Sequence, residues 1–341
     1  MKQAVEELEA ESPQEWLNVA NEHAYRQGWT DGLPIIPATR ASVARFVAAS
    51  GRAADEVIGV LPPRKGQATI EAIAVNAIMA GCLPEFMPVV VAAVDGLSDP
   101  RFPLELMQLT TNPMTPLLVI NGPIRKQLEI NCGTGCMGPG WRANATIGRA
   151  IRLILVNVGG ALPGVYSKSS FASPLRYSFV FGENEEENPW SPYHVDCGFS
   201  EKDSTVTVFR AANYQNISGG EGIGPDEILK HIASNMPPMF GAGDGAMLIL
   251  GVNHARALYE AGLTKRDIQQ RLWGFARMPV SAFAATFAHQ EEQAGRGDGK
   301  TVWRTRKPED NYILVAGGAG PQDVYVAAGM PQTRVIKQPG S

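Results

Sequence analysis

Two stretches of this chain concentrate side chains able to do chemistry. The first is the run 132–149, CGTGCMGPGWRANATIGR. Glycines such as Gly138 and Gly140 let a backbone pass close to a ligand. A helix opening behind them would offer an anion its free N–H groups and the positive end of its dipole. Arg142 and Arg149 add fixed charge two turns apart on one helix face, and Asn144 and Thr146 add hydrogen-bonding groups. A small polar or anionic substrate is therefore expected on Gly138, Gly140, Arg142, Asn144, Thr146 and Arg149. The rival reading is a tight structural turn whose arginines pair with the chain's own carboxylates. Cys132 and Cys136 lie in the same turn and would serve as a redox pair or as metal-binding thiols, with a cationic helix start favouring thiolate. Their C-x3-C spacing is not that of thioredoxin-like proteins, and no second cysteine pair completes a zinc site. Two inert thiols are the plain alternative.

The second stretch is 183–197, ENEEENPWSPYHVDC. Acid-rich loops at strand ends supply general bases and metal ligands. Glu183, Glu185 and His194 are expected to converge on a divalent metal or on a substrate proton, with Asn184 as a substrate contact. A solvated acidic loop, or a loop paired with the arginine helix across one cleft, would explain the same residues without a ligand. His254, which opens a helix after a strand and a glycine turn, is a further candidate. The glycine turns at 219–225 and 317–321 are ligand turns or connectors. Residues 133–138 formally match G-x-G-x-x-G, but Pro139 and Gly140 interrupt the helix opening. No acidic residue lies between Arg142 and Gly182 to take a ribose hydroxyl. With no GK[ST] step either, a standard NAD or ATP site is not expected.

Positioning these groups requires strands that end in turns. LLVING (117–122), LILGVN (248–253) and ILVAGG (313–318) are apolar runs closed by glycine, and in α/β folds ligands gather at the carboxyl ends of strands. The three are separate strand ends or signs of an internal duplication. Helices are expected over 13–27 (Ser12 capping, Pro13 in the first turn), 40–50, 68–80, 84–94, 143–158, 226–235 and 254–261. Strands are expected over 57–61, 117–120, 177–181, 205–209, 247–250 and 312–316. The fold class is thus α/β, with mixed sheets, flanking helices and glycine-rich strand-end turns. A boundary near 160–175 divides it into regions 1–165 and 166–341, the alternative being one continuous domain. Residues 290–299, polar and aperiodic, are a surface loop or a lid.

Composition narrows the class. Hydrophobic residues make 44% and charged residues 19% of 341, and the net charge is −4, which suits a globular chain with a core. No basic run suggests nucleic acid. No apolar stretch reaches bilayer length, MPVVVAAV (87–94) being the longest. The acidic start lacks the apolar stretch of a signal peptide, and four cysteines do not build a disulfide scaffold. A cytoplasmic protein is expected.

Several phrases occur together: GWTDGLPIIP (28–37), NAIMAGCLPEFMPVV (76–90), LLVINGPI (117–124), GPGWRANATIGRA (138–150), ENEEENPWSPYHVD (183–196) and ILVAGGAG (313–320). Together they span nearly the whole chain and resemble the bacterial family grouped with UGSC-type (seleno)proteins. Some of that group are associated with a short selenocysteine or cysteine domain, which implies thiol or selenol redox chemistry. The UGSC motif does not occur in these residues, so the appended domain is expected to be lacking. The leading expectation is an enzyme acting on a small polar or anionic substrate, with thiol-linked redox chemistry implied by the resemblance. The alternatives are a metal-dependent lyase or hydrolase using the acidic loop, and a non-catalytic ligand-binding or accessory subunit of a redox partner. A homo-oligomer is also open.

Overall fold

Leu117 and Val119 face one side of their strand and Leu118 and Ile120 the other, and all four are buried. A strand that is apolar on both faces must lie between two covering layers. In the computed structural model, which describes residues 7–220, 222–236 and 245–339, those layers are helices on one side and a second sheet on the other.

An antiparallel hairpin of β1 (Val57–Leu61) and β2 (Gly66–Thr69) comes early in the chain. β3 (Thr115–Asn121), β4 (Val180–Gly182) and β5 (Thr205–Ala211) follow. Next come β6 (Gln215–Ser218) and β7 (Ala246–Leu250), then a small hairpin of β8 (Arg277–Pro279) and β9 (Thr301–Trp303). β10 (Asn311–Val315), β11 (Gln322–Val326) and β12 (Ala328–Val335) complete the strands. The two larger sheets run in the orders β12-β5-β3-β4 and β10-β7-β11-β6.

The two sheets share one plan. Each has a parallel pair, β3 with β4 and β7 with β10, whose first strand also pairs antiparallel with the strand that follows, β5 or β11. The fourth strand is exchanged. After β5 the chain crosses over and pairs as β6 with β11; after β11 it crosses back and pairs as β12 with β5. The two crossings touch, the Ala212 N–H donating to the Ala327 carbonyl at 3.0 Å. The LLVING and LILGVN runs therefore occupy matching strands of a repeated unit.

Alternate residues of both sheets, among them Val119, Phe181, Phe209, Met247, Ile249 and Leu314, form one apolar cluster between them. The outer faces pack on helices: Met87–Ser98 and Arg142–Asn157 contact the first sheet, with Ile70–Ala80 packed on both of them, and Lys265–Phe275 contacts the second, with Pro225–Ser234 packed on it and Val252–Glu260 on that helix in turn. The architecture is α/β, with mixed sheets flanked by helices. A boundary between residues 165 and 166 falls inside the first sheet, because β4, β5 and β12 all join β3 from the far side of it. Among the described residues no helix is long and apolar enough to cross a membrane.

Local chemistry explains where elements depart from their expected bounds. The helix expected from residue 68 begins at Ile70, since Thr69 caps it by accepting from the Ala72 N–H. The strand expected over 177–181 shrinks to Val180–Gly182 because Ser173 and Pro174 start a 3-10 turn before it. The 290–299 loop is partly helix (Ala285–Gln293) and is tied down by a buried ion pair of Arg296 with Glu291 at 2.6 Å.

Candidate functional site

Three strand ends and the cysteine turn are stitched together by backbone hydrogen bonds. Past β4, the Glu183 N–H donates to Ile120 of β3 (3.1 Å) and the Asn184 N–H to Val315 of β10 (2.8 Å). The Gly182 N–H donates to Asn131 (3.1 Å), and the Gly317 N–H to the Cys132 carbonyl (2.8 Å). The acidic loop thus cannot be a solvated surface loop throughout. Its first residues are threaded between two sheets.

Glu183 is fully buried; its Oε2 accepts from Asn121 Nδ2 and the Tyr193 N–H, both at 2.7 Å, and its Oε1 from Asn188 Nδ2 at 2.9 Å. Burial pushes its pKa up while those donors pull against the rise. Glu185 accepts from the Gly122 N–H (2.7 Å) and Asn121 (3.0 Å), and pairs with Arg125 Nη2 at 2.7 Å. Arg125, only 3% exposed, is the hub. Its Nη1 also donates to the Glu183 carbonyl (2.7 Å) and to Glu186 (3.1 Å), and Lys126 reaches Glu186 at 2.8 Å. Burial works against the Arg125 charge, but its hydrogen bonds to Glu186 and the fields of Glu185 and Glu186 outweigh it and hold the pKa above the ordinary value. The Arg125 hydrogen bond in turn draws Glu186 down to about 2.

His194 is buried beside this cluster, with Nδ1 4.0 Å from Glu185 Oε1, too far for a hydrogen bond. Burial lowers its pKa against the opposing pull of Glu185 and a backbone group of Ser200. Glu183, Glu185 and His194 do come together, as the sequence suggests. The carboxylate oxygens are, however, already engaged by amides, backbone N–H groups and Arg125. Among the described residues no group of three His, Cys, Asp or Glu side chains is arranged to hold a metal ion.

The residues expected to bind an anion are dispersed over several tasks. Arg149 grips Asp31 with Nε and Nη2 (2.8 and 2.9 Å) and donates to the Pro34 carbonyl at 2.8 Å, tying the segment 31–34 to its helix. Asn144 is buried and holds the cysteine turn: it accepts from the Asn131 N–H (2.9 Å) and donates to the Asn131 (2.9 Å) and Cys136 (3.0 Å) carbonyls. Thr146 donates back to the Arg142 carbonyl (2.8 Å), and Asn184 Nδ2 to the Gly317 carbonyl (3.4 Å). Gly138 closes a turn on Gly135 (2.8 Å), while Gly140 and Arg142 are exposed. Among the described residues neither Arg142 nor Arg149 forms an ion pair with the acidic loop. Arg125, which sequence reading passed over, does so instead. The one local signal for it is its place three residues after the strand-end Gly122, at the start of a short helix Ile124–Gln127.

All four cysteines are free. Cys136 is buried, and burial pushes its thiol up to about 11. Cys132 is half-buried, with Sγ 3.7 Å from Arg125 Nη1. Burial raises its pKa too, Arg125 opposing and Glu186 adding to the rise. The cationic neighbour expected to favour thiolate is thus Arg125 rather than Arg142, and in this arrangement desolvation outweighs it. A Cβ on Gly182 would lie 3.2 Å from both Arg125 Cδ and Cys132 Cβ, so glycine makes room for the pair.

Beside this cluster opens a cleft of about 210 Å³, lined by Arg125, Lys126, Asn131, Cys132, Trp141 and Glu186 among others. Its size lies below the usual span of drug-sized pockets (roughly 300–1,000 Å³). No protein-family model and no curated protein sequence matches the chain.

The second sheet has a polar centre of its own. His254 Nδ1 lies 2.7 Å from Asp323 Oδ2, and Asp323 Oδ1 accepts from the Gly251 N–H at 3.0 Å, all buried. Gly220 passes the histidine ring so closely that a Cβ there would be 3.3 Å from it.

Proposed function

We propose that this chain is an enzyme that takes a small anionic substrate into the cleft over Arg125 and uses the Cys132 thiol as its reacting group. The reading rests on one observation: Cys132 lines the cleft, and its Sγ lies 3.7 Å from a guanidinium that is itself clamped by carboxylates. A substrate carboxylate would take the place of Glu186, whose side chain is 44% exposed and reaches Arg125 and Lys126 through ion pairs. The Glu186 pair with Lys126 is exposed on both sides and weak, and on buried Arg125 the incoming carboxylate would replace the one it displaces, so the guanidinium stays paired. Glu183, Asn121 and Asn188 hold the loop in place and do not meet the substrate. The phrases shared with UGSC-type proteins support thiol chemistry as the reaction class.

A second reading makes Cys132 and Cys136 a redox pair. It is favoured by Asn144, which anchors both ends of their turn. In that cycle the two thiols form a disulfide and pass two electrons and two protons to an oxidised substrate.

The test compares two alkylating agents, iodoacetate and iodoacetamide, each losing iodide to the attacking thiolate. Exposed Cys197 serves as the internal control. The anionic reagent should be favoured at Cys132 by about tenfold more than at Cys197, equivalent to roughly 1.4 kcal/mol of recognition. Lys126→Ala should shrink that preference. A preference at Cys132 no greater than at Cys197 would overturn the anionic-substrate reading.

A further inference from the structure

The helix Arg142–Asn157 brings a second pair of cations together, away from the cleft. Arg152 lies near Arg176, which ends the 3-10 turn Pro174–Arg176 leading into β4. Among the described residues neither guanidinium forms an ion pair. Arg152 donates to the Ala161 carbonyl at 3.4 Å; Arg176 donates to the Met114 carbonyl and to Ser167 Oγ, both at 3.0 Å. Asp31, whose field reaches Arg152, is already gripped by Arg149. A guanidinium has five N–H donors, so most of those on this pair remain open to a ligand.

Two like charges held side by side in a partly dry site are unfavourable without a counter-ion. Burial, and then the field of Arg176, draw Arg152 down to about 10, and burial also lowers Arg176. Both stay charged at neutral pH. Both line a crevice of about 10 Å³, together with Thr115, Ser178 and Phe179. That volume admits one water-sized or monatomic species, whereas a phosphate or sulfate is several atoms across. We propose that Arg152 and Arg176 bind a single chloride-sized halide. The ion ties the segment 162–178 to the helix it leaves. It lies just before β4, whose Ser178 neighbour donates to the Asn144 carbonyl at 2.6 Å, so it braces the strand that delivers Glu183.

Thermal unfolding of the whole chain, freed of halide by dialysis, tests this in sodium chloride and sodium gluconate at equal ionic strength. A ligand bound by the folded state alone raises stability with the logarithm of its concentration once above its Kd. The midpoint should rise with chloride and not with gluconate, and Arg152→Gln and Arg176→Gln should each abolish the difference. Phosphate raises midpoints generally by exclusion from the surface, so only the part of its effect that the variants remove bears on the site. Identical midpoints in chloride and gluconate, a variant-sensitive rise larger with phosphate than with chloride, or variants that keep the chloride increment would overturn the proposal. Should the variants fail to fold, chloride-35 NMR of the wild-type chain decides. The folded chain should broaden the chloride line saturably and lose that effect in urea, and no saturable broadening would overturn the site.

Discussion

The two sheets solve one geometric problem with different chemistry. In each, the first strand of the parallel pair ends at a glycine pressed against the carbonyl that precedes or opens the antiparallel strand: Gly122 against Asp203, Gly251 against Gln322. The side chain of the next residue then caps the turn, Ser204 Oγ accepting from the Ile124 N–H and Asp323 Oδ1 from the Gly251 N–H. Three residues past each glycine stands a buried nitrogen-bearing side chain, Arg125 in one half and His254 in the other. The supply of negative charge differs. Arg125 pairs with two carboxylates of the loop after β4, Glu185 and Glu186, whereas the matching loop after β10, Ala316 to Gly320 in sequence, carries no acid. His254 therefore relies on Asp323 of the neighbouring strand. A repeated backbone plan fixes where a polar centre must lie; the loop that follows the second parallel strand decides how much charge it holds and whether it opens to a cleft.

Removing the cation from each centre should expose that difference most strongly. Arg125→Met leaves Glu185 and Glu186 without their shared partner and orphans the Glu183 carbonyl. Breaking a buried pair from one side costs about 3–5 kcal/mol, read as a lower urea midpoint at unchanged slope. His254→Leu takes a donor from Asp323, a loss of about 1–3 kcal/mol. Equal losses would mean that the two centres carry similar charge burdens, against the comparison drawn above. The glycines come next. Alanine at Gly122 meets both a left-handed backbone (φ 82°) and the Asp203 carbonyl. At Gly251 φ is −67°, so only the overlap with Gln322 remains. Strain in a sparsely populated backbone region is worth roughly 1–3 kcal/mol, and Gly122→Ala should lose more than Gly251→Ala by about that amount in the same assay.

How much of this was legible follows the range of the interactions. LLVING, LILGVN and ILVAGG announce themselves because a buried strand and its glycine turn are local facts of a few residues. The exchange of β6 and β12 does not, since β6 has four residues and pairs with a strand that starts more than a hundred positions later. Glu183, Glu185 and His194 were found by residue type and do meet, but type cannot say that amides will claim the oxygens. Arg149 was found for the same reason, and its partner Asp31 lies 118 residues away. Arg125 was missed because IRKQ looks like any surface turn. Only burial beneath a loop 58 residues on, where Glu183 accepts its hydrogen bond, gives it meaning.

The smallest effect is a pH dependence carried by His194 beside the first sheet. His194 has its pKa lowered below 6.5 by burial, so the unfolded chain binds its proton more readily than the folded one. Its contribution to stability is complete above pH 6.5 and is lost as the pH falls through the depressed folded value, at no more than about 1.4 kcal/mol per pH unit. Glu183 works in the opposite sense. Its raised pKa contributes stability below about pH 4.5 that is lost as the pH rises, so the raw profile mixes the two. The difference between wild type and His194→Gln separates them. Between pH 7.5 and 5.5 the wild type should lose stability relative to the variant, whereas His254→Gln, on the second sheet, should leave that loss in place. A His194→Gln profile parallel to wild type across this range would show that the imidazole titrates alike in both states and is not sealed beneath the acidic loop.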